Sequence, residues 1–197
     1  MTALVEAAAG AAAQRSRWLT FGLVAAAVLL SDQISKRWVD ASFGLAWSRG
    51  PVPGLVSPTP LLGDWVRIAK SYNDGGIFGL FGSSAPILAV ASLVVIALIV
   101  WYEARSAREG PWPLTLVLGL LLGGALGNLT DRLRLGYVID FVDMGVGGLR
   151  FYTFNVADAS ISVAIAGLIL MAFLGDRLER DRARADRAGS DPTPGAR

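Results

Sequence analysis

Three long segments with almost no charged residues constrain the fold of this chain more than any other feature. They cover about residues 85–102, 111–130 and 157–174, and each is rich in Leu, Ile, Val and Ala. A helix that crosses the hydrocarbon core of a bilayer needs about 20 mainly apolar residues. Only 17% of the chain is charged, against roughly 25% in a soluble domain, so the sequence predicts an integral membrane protein.

A fourth span is predicted near the N-terminus, at about residues 18–38. Its uninterrupted apolar part, Trp18–Leu30, is short, but one helical face stays apolar to residue 38 while Asp32 and Lys36 lie on another. A secretory signal peptide is the alternative, since two arginines precede the apolar part. No small-residue cleavage motif follows it, which favours a retained helix.

The expected fold class is therefore an all-α membrane protein with four transmembrane helices. The outer loop, about residues 41–82, is rich in proline and glycine, and within it Trp65–Lys70 and Gly76–Phe81 have the composition of short strands. We expect a small extracytoplasmic β-sheet between helices 1 and 2, lying on the outer membrane surface.

Arginine clusters determine the expected orientation, because basic residues near span ends favour the cytoplasmic side. Clusters precede the first span, separate the second from the third, and follow the fourth. With four spans all three clusters face one side, so both termini are expected in the cytoplasm. Residues 1–180 form the expected single domain. Residues 1–14 and the charged tail 181–197 are expected to be disordered.

The chain has no histidine and no cysteine. Their absence excludes Ser-His-Asp triads, Cys-His proteases, histidine-rich zinc sites and thiol redox chemistry. The net charge of +2 has its origin in the tails, and no basic patch is interleaved with aromatic residues. A nucleic-acid partner is therefore not expected.

Two carboxylates stand at the borders of apolar segments. Asp140 lies within Gly-Tyr-Val-Ile-Asp-Phe-Val, and Asp158 lies within Phe-Asn-Val-Ala-Asp-Ala-Ser-Ile. An ionisable group at the edge of a span is costly and marks a candidate functional site. Two carboxylates that meet can activate a water molecule by general acid–base catalysis.

Further polar residues fall at the same, outer ends of the predicted spans. Polar groups that converge at one depth of a helix bundle are how membrane proteins build a site. These residues are Asp32, Lys36, Asn73, Asn128, Asp131, Arg132 and Asn155.

Each of these residues also has a simpler interpretation. Asp32 and Lys36 have the favourable i,i+4 order and could form a solvated interfacial ion pair with a structural role. Arg132 could be an interfacial anchor, or a clamp for substrate carbonyls or a lipid head group. Asn155 could be a helix N-cap, and Asp158 could be a first-turn acid that complements the helix dipole.

Other features are expected to be structural only. Asp143, Asp64 and Asp40 lack apolar context on both sides and are expected to be solvated. Asp74 is less clear, because it lies in an Asn-Asp-Gly turn. The segment Gly123–Gly127 is typical of small-residue helix packing, not of a phosphate-binding loop.

Two other classes of function remain open at this point. A small transporter or ion relay would also use intramembrane acids, but its polar residues should continue through the membrane depth. The inner halves of the last three predicted helices contain almost none. A non-catalytic binding partner differs from an enzyme only in activity.

Five motif blocks, in order, make the chain similar to the lipoprotein signal peptidase (signal peptidase II) family. The ordered set is specific, although each block alone is weak. The blocks are Asp32-Gln-Ile-Ser-Lys36, Asn73-Asp-Gly-Gly-Ile-Phe-Gly79, Gly127-Asn-Leu-Thr-Asp-Arg132, Gly136-Tyr-Val-Ile-Asp-Phe141 and Phe154-Asn-Val-Ala-Asp158.

The resemblance implies an intramembrane aspartic endopeptidase of the bacterial inner membrane, with its active site near the outer face. Such enzymes cut prolipoproteins just before a diacylglyceryl-cysteine. They need no metal or cofactor, lie in membrane lipid, and are inhibited by globomycin; we expect a monomer. By matching motif positions, Asp140 and Asp158 are catalytic. The lining positions are Asn73, Gly75, Asn128, Arg132 and Asn155, and the supporting positions are Asp32, Lys36 and Asp131.

The chain departs from the family pattern in two places. Gly76 and Ile77 stand where the family usually has two alanines, and the proline-rich stretch Ser48–Gly63 is longer than usual. Both departures affect the expected shape of the outer loop and not the pair of aspartates.

Overall fold

A computed structural model gives the structure of the chain and describes residues 2–48, 53–75, 85–108 and 110–189. Four long helices account for most of these residues. Each contains a segment long and apolar enough to cross a membrane, as the sequence predicts. In chain order the helices are α1 (Thr2–Ser42), α2 (Ala85–Ser106), α3 (Trp112–Leu135) and α4 (Val156–Gly189).

The two predicted disordered tails are helical where the structure describes them. α1 begins at Thr2 and α4 continues to Gly189, so the prediction is wrong for residues 2–14 and for 181–189; residues 190–197 lie outside the described part. Alanine and arginine have favourable helix propensities. A helix already nucleated by a membrane span also extends at little further cost.

α3 is the central helix and packs against α1, α2 and α4. Glycines on its surface allow close approach: a Cβ added at Gly123 would lie 2.6 Å from Val28 Cβ, and one at Gly124 would lie 2.6 Å from the Ala157 carbonyl oxygen. The predicted small-residue packing over Gly123–Gly127 is therefore confirmed.

A four-stranded antiparallel sheet lies at the end of the bundle where α1 and α3 end. β1 and β2 confirm the predicted sheet between helices 1 and 2. β3 and β4 belong to the connection between α3 and α4, where we predicted no strand. The predicted strand at Gly76–Phe81 falls in residues 76–84, outside the described part. In spatial order the strands are β1 (Thr59–Leu62), β2 (Val66–Asn73), β3 (Val138–Val146) and β4 (Leu149–Arg150).

The pairing of β2 with β3 brings together two distant parts of the sequence. Ser71 pairs with Asp140, and Asn73 pairs with Val138. A buried cluster of Val39 from α1, Ile68 from β2 and Phe141 from β3 fastens the sheet to the bundle. The sheet therefore holds Asn73 and Asp140 in fixed positions at the end of the helices.

At the far end of the sheet Asp143, which we predicted to be solvated, lies in a network of ion pairs. Asp143 is only 5% exposed and accepts hydrogen bonds from Arg67 Nη2 at 2.6 Å and Arg150 Nε at 2.9 Å. Burial alone would raise the pKa of Asp143, but these hydrogen bonds and the two positive charges hold it below its ordinary value. The prediction fails because the strands place one arginine on each side of this carboxylate. Asp64 and Asp40 are exposed, as predicted.

Candidate active site

Asp140 lies in the middle of β3, and its side chain is buried, with 3% exposed. Oδ2 accepts a hydrogen bond from Asn73 Nδ2 at 3.0 Å, and Oδ1 accepts one from Asn155 Nδ2 at 2.7 Å. Its position within a paired strand fixes the direction of its carboxylate.

Asp158 lies in the first turn of α4 and shares a reciprocal cap with Asn155. Asn155 Oδ1 accepts from the Asp158 backbone N–H at 3.0 Å, and Asp158 Oδ2 accepts from the Asn155 backbone N–H at 3.2 Å. This is the arrangement of a capping box, so the predicted capping role of Asn155 is confirmed. Asp158 Oδ1 also accepts from Asn128 Nδ2 at 2.7 Å.

Asn155 and Asn128 connect the two aspartates. Asn155 is fully buried, and besides its contacts with both aspartates its Nδ2 donates to Asn128 Oδ1 at 3.1 Å. Asn128 in turn donates to Asp158. Both carboxylates therefore accept hydrogen bonds from neutral amide groups, which fix their orientation.

Lys36 supports this arrangement from α1. Its Nζ lies 2.8 Å from Asp32 Oδ2, 2.9 Å from Asp131 Oδ2 and 3.0 Å from Asn128 Oδ1. The three acceptors match the three hydrogens of an ammonium group. Lys36 is 1% and Asp32 0% exposed, so our prediction of a solvated ion pair is wrong. The close approach of α1 to α3 at Gly127 excludes water from the pair.

Both carboxylates of this ion cluster also bind backbone groups. Asp32 Oδ1 accepts from the Ala157 N–H at 2.9 Å, and Asp131 Oδ2 accepts from the Ile139 N–H at 3.2 Å. Gln33, which we did not single out, donates to Asp131 Oδ1 at 2.9 Å. The sequence signal that could have identified Gln33 is its place in the first motif block. The ion cluster thus ties α1 to α3, β3 and α4.

Two of the remaining predicted lining residues, Arg132 and Asn73, lie beside the two aspartates. Arg132 is half-buried, its charge acts on Asp158 and Asp140, and its Nη1 donates to the Asn128 carbonyl oxygen at 3.4 Å. Gly75 is buried, two residues beyond Asn73. Asn73 Oδ1 is buried and has no hydrogen-bond partner among the described residues.

The environment of Asp140 favours its protonated form. Burial raises the pKa of Asp140 to about 7, and the negative charge of Asp158 adds to the shift. Hydrogen bonds from Asn73 and Asn155 and the charge of Lys36 act in the opposite direction. A group that gains and loses a proton near neutral pH suits general acid–base catalysis. Two neighbouring carboxylates tend to share one proton, because two negative charges side by side repel each other.

Fold and site together define a class of protein. Four spanning helices carry a pair of carboxylates at one end of the bundle, the arrangement of an intramembrane aspartic peptidase. Among solved structures, one of a bacterial membrane enzyme is similar in fold, with a TM-score of 0.68 and 24% identity, over 80% of this chain and 89% of that chain.

Sequence comparison gives the family. Residues 24–174 match the family model described as signal peptidase (SPase) II. A lipoprotein signal peptidase of Caulobacter vibrioides is 40% identical over 82% of this chain and 90% of its own length. One of Sphingopyxis alaskensis is 35% identical over 81% and 89%. The chain belongs to the signal peptidase II family, and it is a multi-pass membrane protease of the aspartic type.

Proposed function

We propose that this chain removes signal peptides from lipid-modified prolipoproteins, cutting the peptide bond just before the diacylglyceryl-cysteine. Membership of the signal peptidase II family and the lipoprotein signal peptidases among its relatives support this substrate class. The observation that carries the proposal for the site is the link from Asp140 through Asn155 to Asp158. That link keeps the two carboxylates near each other, which supports their joint action on one peptide bond.

In the proposed mechanism Asp158 is ionised and takes a proton from a water molecule as the water attacks the scissile carbonyl carbon. Asp140 is protonated, because its pKa is raised to about 7, and it donates to the carbonyl oxygen. The tetrahedral intermediate then collapses, and the leaving amine receives a proton from the dyad. The reaction consumes one water and returns the shared proton to the pair.

The neighbouring side chains have positioning roles in this mechanism. Asn73 and Asn155 orient Asp140, and Asn128 orients Asp158. Arg132 lies beside both carboxylates, where its guanidinium could bind substrate carbonyl oxygens. Gly75, buried two residues beyond Asn73, is proposed to line the same site. The supporting cluster of Asp32, Lys36 and Asp131 holds Asn128 in place.

An ion relay is less consistent with the helix interior. A relay needs polar groups through the depth of the bundle. Between Thr115 and Asn128 the buried residues of α3 are only Leu and Gly: Leu118, Gly119, Leu122, Gly123, Gly124 and Gly127. The polar site is therefore separated from the opposite end by an apolar layer.

The proposed dyad is tested with purified variants and a lipidated prolipoprotein peptide. We expect Asp140→Asn and Asp158→Asn each to lower kcat by at least about 10²–10⁴-fold, the range of general acid–base contributions. The double variant should be little worse than either single one, because groups that act as a unit are not additive. Asp143→Asn, three residues along the same strand, is the control and should keep its turnover. If either dyad variant is active and Asp143→Asn is inactive, the proposal names the wrong carboxylates as catalytic.

The substrate class is tested separately by comparing lipidated and unlipidated peptides of the same sequence. Acyl chains partition into lipid at about 0.8 kcal/mol per methylene, so the lipidated peptide should have a much lower KM. Globomycin should compete with it, and should still bind Asp140→Asn, because an amide preserves shape. Equal cleavage of both peptides by an active enzyme rejects the substrate class while leaving the dyad intact.

The proposed orientation places both termini in the cytoplasm of the inner membrane and the site near its outer face. Because the chain has no cysteine, single cysteines at Ser57 and Ser106 report the side of each loop. An impermeant thiol reagent added outside should label position 57 and not position 106. Labelling of position 106 and not of position 57 would show that the orientation is opposite to the one proposed.

A further inference from the structure

A second buried polar cluster lies at the end of the bundle remote from the aspartates. Glu103, in the last turn of α2, is fully buried, and Thr115, in the first turns of α3, is 1% exposed. Thr115 Oγ1 donates to Glu103 Oε1 at 3.1 Å. Thr115 precedes Asn128 by 13 positions in α3, which is about 20 Å along the helix axis, so this cluster is separate from the active site.

α1 contributes a cation to the same cluster. The charge of Arg17 acts on Glu103, and the Arg17 guanidinium carbon lies 5.5 Å from the centre of the Trp112 ring at the start of α3. Among the described side chains the two groups make no direct ion pair within 4.0 Å. Arg17 Nη1 and Glu103 Oε2 are both buried, and neither has a hydrogen-bond partner in the part of the chain that the structure describes.

Two buried polar atoms on oppositely charged groups are costly when neither atom has a hydrogen-bond partner. Buried water commonly satisfies such groups, since a water molecule can accept from one and donate to the other. Because the two hydrogen bonds of a water molecule diverge at about a tetrahedral angle, the atoms that it joins lie about 4.5–5 Å apart, which is beyond the distance of a direct ion pair.

This cluster matters for the position of α2, because α2 has few other directional contacts. Among the described residues α2 packs extensively only against α3, and most of its apolar surface faces outward. The bond from Thr115 to Glu103 is the one side-chain hydrogen bond between α2 and another helix in that part of the chain. α2 is thus held by few directional contacts.

We propose that one water molecule hydrogen-bonds both Arg17 Nη1 and Glu103 Oε2, and that this water-bridged ion pair anchors α2 to α1 and α3. The pair joins three helices at one point, and Trp112 covers it from the side of α3. Loss of either charge leaves the other buried and uncompensated, whereas loss of both removes the penalty.

The first test is a double-mutant cycle on the full-length enzyme in detergent. Arg17→Leu and Glu103→Leu should each lower the melting temperature, and the double variant should lose clearly less than the two losses added together. Glu103→Gln, which keeps its size and the bond from Thr115, should lose less than Glu103→Leu. Arg105→Leu is the control, because Arg105 lies in the same turn of α2 but is exposed and stacks on Trp101. Additive losses would overturn the proposal.

The second test measures the anchoring directly. Spin labels at cysteines replacing Val95 on α2 and Val163 on α4, both exposed, report the distance between the helices by double electron–electron resonance. Glu103→Leu should broaden the distance distribution, and Arg105→Leu should not. A crystal structure that resolves water should show density within hydrogen-bond reach of both atoms. An unchanged distribution, or a direct contact between Arg17 and Glu103 in place of the water, would refute the proposal.

Discussion

Replacing Lys36 by methionine removes the positive charge that lies between two buried carboxylates. Asp32 and Asp131 are 0% and 2% exposed, and each lies within 2.9 Å of Lys36 Nζ. Methionine preserves the length of the side chain but leaves both carboxylates facing each other without a cation. Removing one partner of a buried ion pair costs about 3–5 kcal/mol. In a chain of this size each kcal/mol lowers the melting temperature by about 2–4 °C, so the expected drop is about 6–20 °C.

The assay is thermal unfolding of the purified protein in detergent, with Lys70→Met as the matched control. Lys70 Nζ binds Asp40 at 3.2 Å, but the Asp40 side chain is 43% exposed and stays hydrated. Lys70 itself is 6% exposed, but its loss leaves Asp40 hydrated and not a buried charge without a cation, so the control should lose clearly less than Lys36→Met.

A second substitution identifies the cause. Asp32→Asn should destabilise the wild-type protein, because it weakens the buried pair, but in the Lys36→Met background it should raise the melting temperature by removing one uncompensated charge. Similar losses for Lys36→Met and Lys70→Met would refute the reasoning. A further loss when Asp32→Asn is added to Lys36→Met would refute it too.

Three further predictions concern the site and the sheet. Because burial raises the pKa of Asp140 to about 7, kcat should fall by about tenfold per pH unit above pH 7 as the proposed general acid loses its proton. The same raised pKa means that the contribution of Asp140 to folding stability is fully present below about pH 4 and is lost as the pH rises to about 7. Asp140→Asn should remove this part of the pH dependence from a series of melting curves. Gly127→Ala should cost about 1–3 kcal/mol, since its Cβ would lie 2.5 Å from Asp32 Oδ2, whereas Gly22→Ala, which meets nothing within 4 Å, should be neutral or slightly stabilising in the same unfolding assay. Arg150→Met should lower the melting temperature modestly and leave kcat nearly unchanged, because Asp143 keeps its bond to Arg67; a dead enzyme would show that the far end of the sheet takes part in the reaction.

The four spans were predictable because each depends on local composition alone. The meeting of the polar residues at one end was predictable too, since it follows from where each span ends. The strands between α3 and α4 were not, because the apolar pattern around Asp140 gave no reason to pair it with Ser71 across the sheet. Pairing between distant segments is decided by packing that a local pattern does not contain.

The wrong prediction that certain charged residues are solvated has a related cause. Asp143 and the pair Asp32–Lys36 have ordinary polar neighbours in the sequence, and only the fold supplies the partners that allow their burial. Arg67 and Arg150 reach Asp143 from two other strands, and Asp131 reaches Lys36 from another helix. A close pair of oppositely charged residues in the sequence therefore does not indicate whether water surrounds it. The capping role of Asn155 was predictable, because a cap involves only residues close in sequence.

The hydrogen bond from the Ala157 N–H to Asp32 joins residues 125 positions apart, from the first helix to the last. During synthesis the chain enters the membrane in order, so Asp32 and Lys36 reach the bilayer long before Ala157 and Asp158 leave the ribosome. Until the fourth helix arrives, Asp32 lacks this backbone donor and the dyad lacks one carboxylate. The proposed active site is therefore complete only after the fourth helix has joined the bundle, and a chain that stops before α4 leaves the buried Asp32 carboxylate without one of its hydrogen-bond donors.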